Sequence, residues 1–377
     1  MANTLTEVIP QILAQGLMAL RGACVMPQLV NRSYGNDAKA KGETVDVPIP
    51  SAVAAQAVVP AATPQSTPNL VPTSAALKLD QWYEAPFHIT DKERSMAMEG
   101  IIPMQASEAI KAIARQVNAH IFSKFYLVGG FSGTPGTTPF ATTTADATDA
   151  RKVLNLQLAP MEDRRFVLDP DAEANALNLR AFQDYSWSGS LDAIRDGKLN
   201  QKLGFNWFMD QQAPNQTKGT EDGNYTTDAS GYAVGVKTLT TITGSGTILA
   251  GDTFTIAGDT MTYSCTSNMT APGALAFSPG LFQVIAAGAA AITVKGVSGT
   301  TYPQSLAFHR DCFAFASRPL IDETDGLGNI ITSAVDPVSG LALRLEVSRE
   351  HKRTRWSFDL LWGSQCVRPE LGCRLWG

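Results

Sequence analysis

The sequence predicts an α+β chain organised on one long helix, with a small β-barrel or β-sandwich inserted into a mixed helix-and-strand body. Three observations predict it. Over residues 104–126 the apolar side chains Ala106, Ile110, Ile113, Val117 and Ile121 recur at spacings of three and four, which makes one stripe of an amphipathic helix. Helix-like and strand-like patterns then alternate over residues 149–209, the mark of a mixed body. From Gly235 the composition shifts: residues 236–300 hold only Lys237, Asp252, Asp259 and Lys295 as charges, and strand signals come close together.

The first element is an amphipathic helix over residues 4–21. Thr4 and Glu7 have capping-box spacing, and Ile9, Leu13, Leu17 and Leu20 form its apolar side. It carries too little apolar surface to stand alone, so this arm must lie on its own domain or on another subunit. Residues 44–49 alternate as a strand, and residues 77–80 alternate again before Trp82, Tyr83, Phe87 and Ile89. Between them, residues 51–76 hold four prolines and no charge. Loops of this length are rare inside a compact domain. An extended two-stranded arm fits, with Val58, Val59, Leu70 and Val71 at a tip that something must cover.

The long helix follows a break at residues 100–103, and Pro103 stands where a first-turn proline is tolerated. At 1.5 Å per residue it spans about 34 Å. Ser107, Lys111, Arg115 and Asn118 lie off its stripe and are expected to face water or a neighbour. Residues 129–140 read as turns, because the glycines lack the Gly-Lys-Ser/Thr of a phosphate loop. Helix is expected over residues 149–157 and 171–183, and strand over 164–168 and 205–209. In the β-module, residues 253–256 and 261–265 flank the turn Gly258-Asp259 as a hairpin, with further strands at 282–285 and 291–294. Residues 305–320 combine a helix-like start with an aromatic run. Residues 341–347 and 355–360 alternate as a long antiparallel hairpin with one buried face, joined by the polar patch Arg349-Glu350-His351-Lys352-Arg353.

No constellation for catalysis stands out. His309 and Cys312 are the one close His/Cys pair, too few ligands for zinc. Residues 322–326 lack the full spacing of a calcium loop and read as a solvated turn. The five cysteines form no CxxC pair and read as small buried hydrophobes. No metal and no cofactor are expected. The net charge of −5 disfavours a nucleic-acid reader. The opening residues do not read as a secretory signal, and no apolar run is long enough for a membrane helix.

The order of parts resembles the major capsid protein of tailed bacteriophages, of the short-tailed type with an inserted β-domain. VNRSYGNDAKAKGETVDVPIP resembles the entry to that family's extended loop, and DKERSMAMEGIIPMQASEAIKAIARQVNAHIF its spine helix. LAFHRDCFAFASRPL and SFDLLWGSQCVRPELGCRLW resemble its late segments, and AGDTFTIAG the opening of the inserted domain; residues 266–281 depart from the pattern.

The resemblance implies an N-terminal arm (1–34), an extended loop (35–90), a spine helix of a peripheral domain (91–140), an axial α/β domain (141–234 and 301–340) around an inserted β-domain (235–300), and C-terminal strands (341–377). It implies no enzyme activity. The subunit would build hexamers and pentamers of an icosahedral virion shell around double-stranded DNA, in the host bacterial cytoplasm, with a scaffolding protein and a portal as partners. Subunit contacts are expected at the loop tip (Val58, Val59, Leu70, Val71), on the spine (Lys111, Arg115) and at the hairpin end (Arg349, Lys352, Arg353). The competing classes are another self-assembling phage component, such as a tail or decoration protein, and a hydrolase with an accessory β-domain.

Overall fold

The computed structural model describes residues 12–14, 16–18, 20, 24–34, 44–50, 55, 57–60, 69–70, 72–96, 101–185, 189, 192–321, 329–336 and 339–377. The spine is the helix Ile101–Ser123, closed by a 3₁₀ turn Lys124–Leu127. All five stripe residues are buried in the main core. Asn118 is the exception to the expected polar face. It is buried, and its Oδ1 accepts the backbone N–H of Met26 at 3.3 Å, capping the short helix Met26–Leu29 that crosses the spine.

The stripe faces a sheet centred on the 14-residue strand Arg353–Cys366. On one edge this strand pairs with Ala342–Glu350 and then with Phe313–Arg318, and Ile330–Val335 lies outside Ala342–Glu350. On its other edge lies Gln81–Thr90, paired through ten residues. That strand was expected within the extended loop; it belongs to the body, because alternate residues Ala85 and Phe87 pack on the core. Trp356, Phe358, Leu360 and Trp362 point to the spine, as period-two alternation requires.

A second sheet runs in the order Gly130–Gly133, Gly372–Trp376, Thr301–His309, Arg164–Leu168, Asn206–Met209, with Asn215–Thr217 also on Thr301–His309. Its outer pairs are parallel and its central ones antiparallel. Two expectations are corrected here. Gly130–Gly133 is a strand rather than turns, because it pairs parallel with Gly372–Trp376, so closely that a Cβ at Gly130 would overlap the carbonyl of Gly372. The helix-like start at residue 305 is strand, buried on both faces, which removes the period that marks a half-exposed strand. Beneath the sheet, Phe140, Phe166, Phe182, Phe205 and Trp207 form an aromatic knot, with Phe166 stacked on Trp207 at 4.7 Å.

The amino-terminal helix lies on this same body. Ile12, Leu13 and Leu20 are buried in the main core, and Gly16 is packed so close to Ile110 that a Cβ there would collide. Its described apolar side therefore needs no foreign surface; Thr4, Glu7 and Ile9 lie outside the described residues.

The β-module has a core of its own, built from Tyr225, Leu239, Phe254, Ile256, Tyr263, Cys265, Leu275, Phe277, Ile292 and Val294. Six strands run in the order Tyr225–Thr226, Ala291–Val294, Thr253–Ile256, Thr262–Cys265, Ala274–Ser278, Thr238–Thr240. The two ends of that order meet. Thr227 bridges Thr241, the Asp228 N–H donates to the Thr240 carbonyl at 3.0 Å, and the Ile242 N–H donates to the Thr226 carbonyl at 3.0 Å. The sheet is thus closed into a barrel. The expected hairpin about Gly258-Asp259 forms, with Thr253 opposite Ser264. Residues 282–285 are not a strand. Only Ile285 bridges, to Tyr232, and Val284 is exposed. The barrel's first strand, Tyr225–Thr226, also lies ahead of the compositional shift at Gly235.

Barrel and body meet at a polar seam. Arg374, wholly buried in the last strand, donates from Nη1 to the Gly251 carbonyl (2.8 Å) and from Nη2 to Ser264 Oγ (3.0 Å). Its guanidinium lies over the rings of Phe125 and Trp376. Burial lowers its pKa to about 9, and Asp252 opposes that shift, so Arg374 is charged at neutral pH. Asp252, equally buried, accepts from the backbone N–H groups of Leu249 (2.8 Å) and Gly219 (3.0 Å) and from Gln216 Nε2 (3.2 Å).

Candidate assembly interface

The strands Thr44–Ile49 and Thr73–Lys78 pair antiparallel through six residues and form the arm. Val45, Val47, Leu77 and Leu79 close its root against Ala314, Ala316 and Val367. There the arm crosses the long strand so tightly that a Cβ on Gly363 would overlap the Lys78 carbonyl, a position only glycine fills. Away from the root the described apolar residues of the arm are not covered by any other described residue. Val58, Val59 and Leu70 are 87%, 61% and 70% exposed. Val71 lies outside the described residues.

The cations expected at subunit contacts divide into two groups. Arg349 grips Asp91 with two 2.6 Å bonds, which raises its pKa, and Arg353 pairs with Glu350. Both are committed within the chain, because the hairpin turn brings Arg353 beside Glu350 and the strand Gln81–Thr90 delivers Asp91. Lys352 is exposed at the turn with φ +57°. On the spine, Lys111 pairs with Glu108 at 2.7 Å, whereas Arg115 is exposed.

Sequence reading missed a polar ladder on the outer face of the five-stranded sheet. Arg344 forks Asp359 at 2.9 and 2.5 Å, Trp82 Nε1 donates to the same carboxylate at 3.0 Å, and Arg355 forks Glu84 at 2.8 Å. Alternation over residues 355–359 was its signal. Arg374 and Asp252 were missed too, although a lone arginine between Cys373 and Leu375 was there to be noticed.

All five cysteines are free and buried. Cys312 Sγ lies 3.9 Å from Cys366 Sγ, and burial raises its pKa, so it is a protonated thiol. His309 Nδ1 accepts the Asp311 N–H at 3.2 Å and caps the 3₁₀ turn Arg310–Cys312. Among the described residues no three His, Cys, Asp or Glu side chains are placed to hold a metal. Residues 322–326 lie outside the described residues. Among the described residues no helix is long and apolar enough to cross a membrane.

No protein-family model and no curated protein matches the sequence. Solved structures do. A chain of Mycobacterium phage Che8 is 14% identical with a TM-score of 0.54, over 93% of this chain and 90% of that one. The capsid structure of the cyanophage P-SCSP1u is 12% identical with a TM-score of 0.48, over 89% and 84%. The capsid of the native GTA particle is 13% identical with a TM-score of 0.46, over 89% and 85%. At 14% identity the likeness is one of fold: over 93% of its length this chain has the mixed helix-and-strand fold of the Che8 phage chain.

Proposed function

We propose that the chain is the major capsid subunit of a tailed phage, which self-assembles into the hexamers and pentamers of an icosahedral shell around double-stranded DNA. The observation that carries this reading is the arm. Its root is fixed on the body, and its apolar tip is left open to solvent in a chain that shares its fold with a phage protein. Covering Val58, Val59 and Leu70 would contribute about 1.5–3 kcal/mol each. A neighbouring copy supplies such cover at every position of a closed symmetric assembly.

In this reading residues 1–34 are the arm that braces the spine, 35–80 hold the loop that overlies a neighbour, and the spine sets the distance between contacts. The axial domain and the barrel of residues 235–300 stand to either side. Val58, Val59, Leu70, Val71, Lys111, Arg115, Arg349, Lys352 and Arg353 are the contact residues, with Arg349 and Arg353 acting through the salt bridges they make at home. The subunit works without an active site, assembles in the host cytoplasm, and meets a scaffolding protein and a portal. Its mild net negative charge of −5 suits a container that does not grip its genome.

Sedimentation and negative-stain microscopy of the purified protein test this. Shells, sheets or capsomers are expected. A compact monomer that persists at high concentration refutes the reading.

A further inference from the structure

Two short connections carry the chain between the five-stranded sheet and the second sheet, and they pass side by side. The 3₁₀ turn Arg310–Cys312 leads from Thr301–His309 into Phe313–Arg318. Residues 367–371, which include the 3₁₀ turn Pro369–Leu371, lead from Arg353–Cys366 into Gly372–Trp376. The Cys312 carbonyl accepts the backbone N–H of Val367 (2.9 Å) and that of Arg368 (3.2 Å), which ties one connection to the other. Each connection also brings a thiol. Cys312 ends the first, Cys366 stands at the start of the second, and their sulfurs are 3.9 Å apart.

The other three cysteines are placed differently. Cys24, Cys265 and Cys373 donate to the carbonyls of Ala114 (3.8 Å), Ser267 (2.9 Å) and Arg374 (3.6 Å). Cys312 and Cys366 face each other instead. A disulfide needs its sulfurs about 2.05 Å apart, so this pair must close by roughly 2 Å. Both thiols stand at strand ends, where side-chain rotation and a small shift of a turn supply that approach. Gly372 lies against Cys312, and a Cβ there would stand 3.1 Å from its sulfur, so the glycine leaves the sulfur its space.

We propose that Cys312 and Cys366 are a latent disulfide, closed by exchange with a small-molecule disulfide such as oxidised glutathione, that staples the two connections between the sheets. Cys366 is 7% exposed and Cys312 not at all, so Cys366 reacts first. Its thiolate attacks one sulfur of the glutathione disulfide, joins to it, and expels a glutathione thiolate that takes up the Cys366 proton. Cys312 Sγ then attacks Cys366 Sγ and expels the second glutathione, which takes up the Cys312 proton. Two protein thiols are oxidised and one glutathione disulfide is reduced to two glutathiones. Burial and the neighbouring Cys366 raise the pKa of Cys312, which slows this second attack. The closed ring, residues 312–366, holds four of the five strands of the sheet: Phe313–Arg318, Ile330–Val335, Ala342–Glu350 and Arg353–Cys366. A reducing cytoplasm keeps the pair as thiols, and an oxidising medium outside the cell closes it. That setting rests on the shell reading, whereas the chemistry does not.

The test uses the reduced full-length protein, incubated with oxidised glutathione without denaturant. It is then quenched with iodoacetamide in denaturant, digested and analysed by mass spectrometry. The expected result is a peptide pair joined through Cys312 and Cys366, with Cys24, Cys265 and Cys373 alkylated. Five alkylated cysteines overturn the proposal, and so does a Cys366 that stops at its glutathione adduct. In Cys312→Ala that adduct should persist, because no thiol stands by to displace the glutathione. No adduct at Cys366 in a folded variant overturns the order of attack; if the variant fails to fold, the linked peptide of the unaltered protein still decides. Closing the ring should raise the temperature of thermal unfolding by about 5 °C. An unchanged temperature with the link in place means that the bond is no staple. The link is read on the chain itself, so failure to form particles sinks the shell reading alone, and absence of the link sinks this proposal alone.

Discussion

The arm and the barrel are both two-stranded or many-stranded excursions from one body, and they treat their apolar side chains in opposite ways. The barrel closes on itself, so its strands have no free edge and its apolar residues fill its own interior. Its attachment to the body is polar, through Arg374, Asp252 and Ser264. The arm is the inverse. Its attachment is apolar and tight, and its far end is apolar and open. A two-stranded ribbon has no second layer to bury its tip. The barrel is a finished object, whereas the arm is half of a contact.

The comparison breaks most sharply at the seam. Asp252→Ala would strip the buried N–H groups of Leu249 and Gly219 and the Gln216 amide of their acceptor and remove a carboxylate that favours a charged Arg374, and should cost about 3–5 kcal/mol in denaturant unfolding. A cost below 1 kcal/mol would mean that the seam does not hold the barrel. A smaller loss is expected at a contact belonging to neither excursion. Asn118→Ala strips the Met26 N–H of its acceptor and should cost about 1–3 kcal/mol. If stability is unchanged, the amino-terminal segment is held by its apolar side chains alone.

His120 tests the ground beneath the arm. Its Nδ1 accepts from Trp362 Nε1 at 3.3 Å and lies 3.1 Å from Ser364 Oγ. Burial, helped by Lys124 and opposed by Asp80, lowers its pKa from 6.5 to about 4. The unfolded chain therefore binds this proton first as pH falls. Stability contributed by the neutral ring is present above pH 6.5, declines towards pH 4 and changes no further below. His120→Gln keeps an acceptor for Trp362 and should flatten that part of the pH–stability curve. Parallel curves for the two proteins would show that the ring titrates as in water.

The smallest effect on folding is expected where the effect on assembly is greatest. Val58, Val59 and Leu70 changed together to Ser should alter unfolding free energy by less than about 0.5 kcal/mol, as exposed sites do. Deleting residues 56–72 should likewise leave circular dichroism unchanged. Both should abolish particles in negative stain. Loss of the folded state, or undiminished particles, would show that the tip is not an adhesive.

What was legible in the sequence follows from how many faces of an element meet water. The spine has one dry stripe, the hairpin about residues 349–353 has one dry face, and the arm has an apolar run without charge; each leaves a period or a compositional mark. The strand Thr301–His309 is dry on both faces, so its apolar run passes equally well for a helix. Gly130–Gly133 is a strand only because Gly372–Trp376, at the far end of the chain, lies beside it. Asn118 reads as polar surface until the Met26 N–H is known to stand over it. The exposure of Val58, Val59 and Leu70 was legible because the run around them has apolar residues and no core pattern.

The long pairing of Gln81–Thr90 with Arg353–Cys366 also has a mechanical meaning. The arm's second strand, Thr73–Lys78, runs on into Gln81–Thr90, which is bonded along its whole length to the centre of the sheet. A pull on the arm tip loads all ten residue pairs in shear at once instead of opening them one after another. Such a joint resists tension far better than a peeled hairpin, and it lies at the base of the arm.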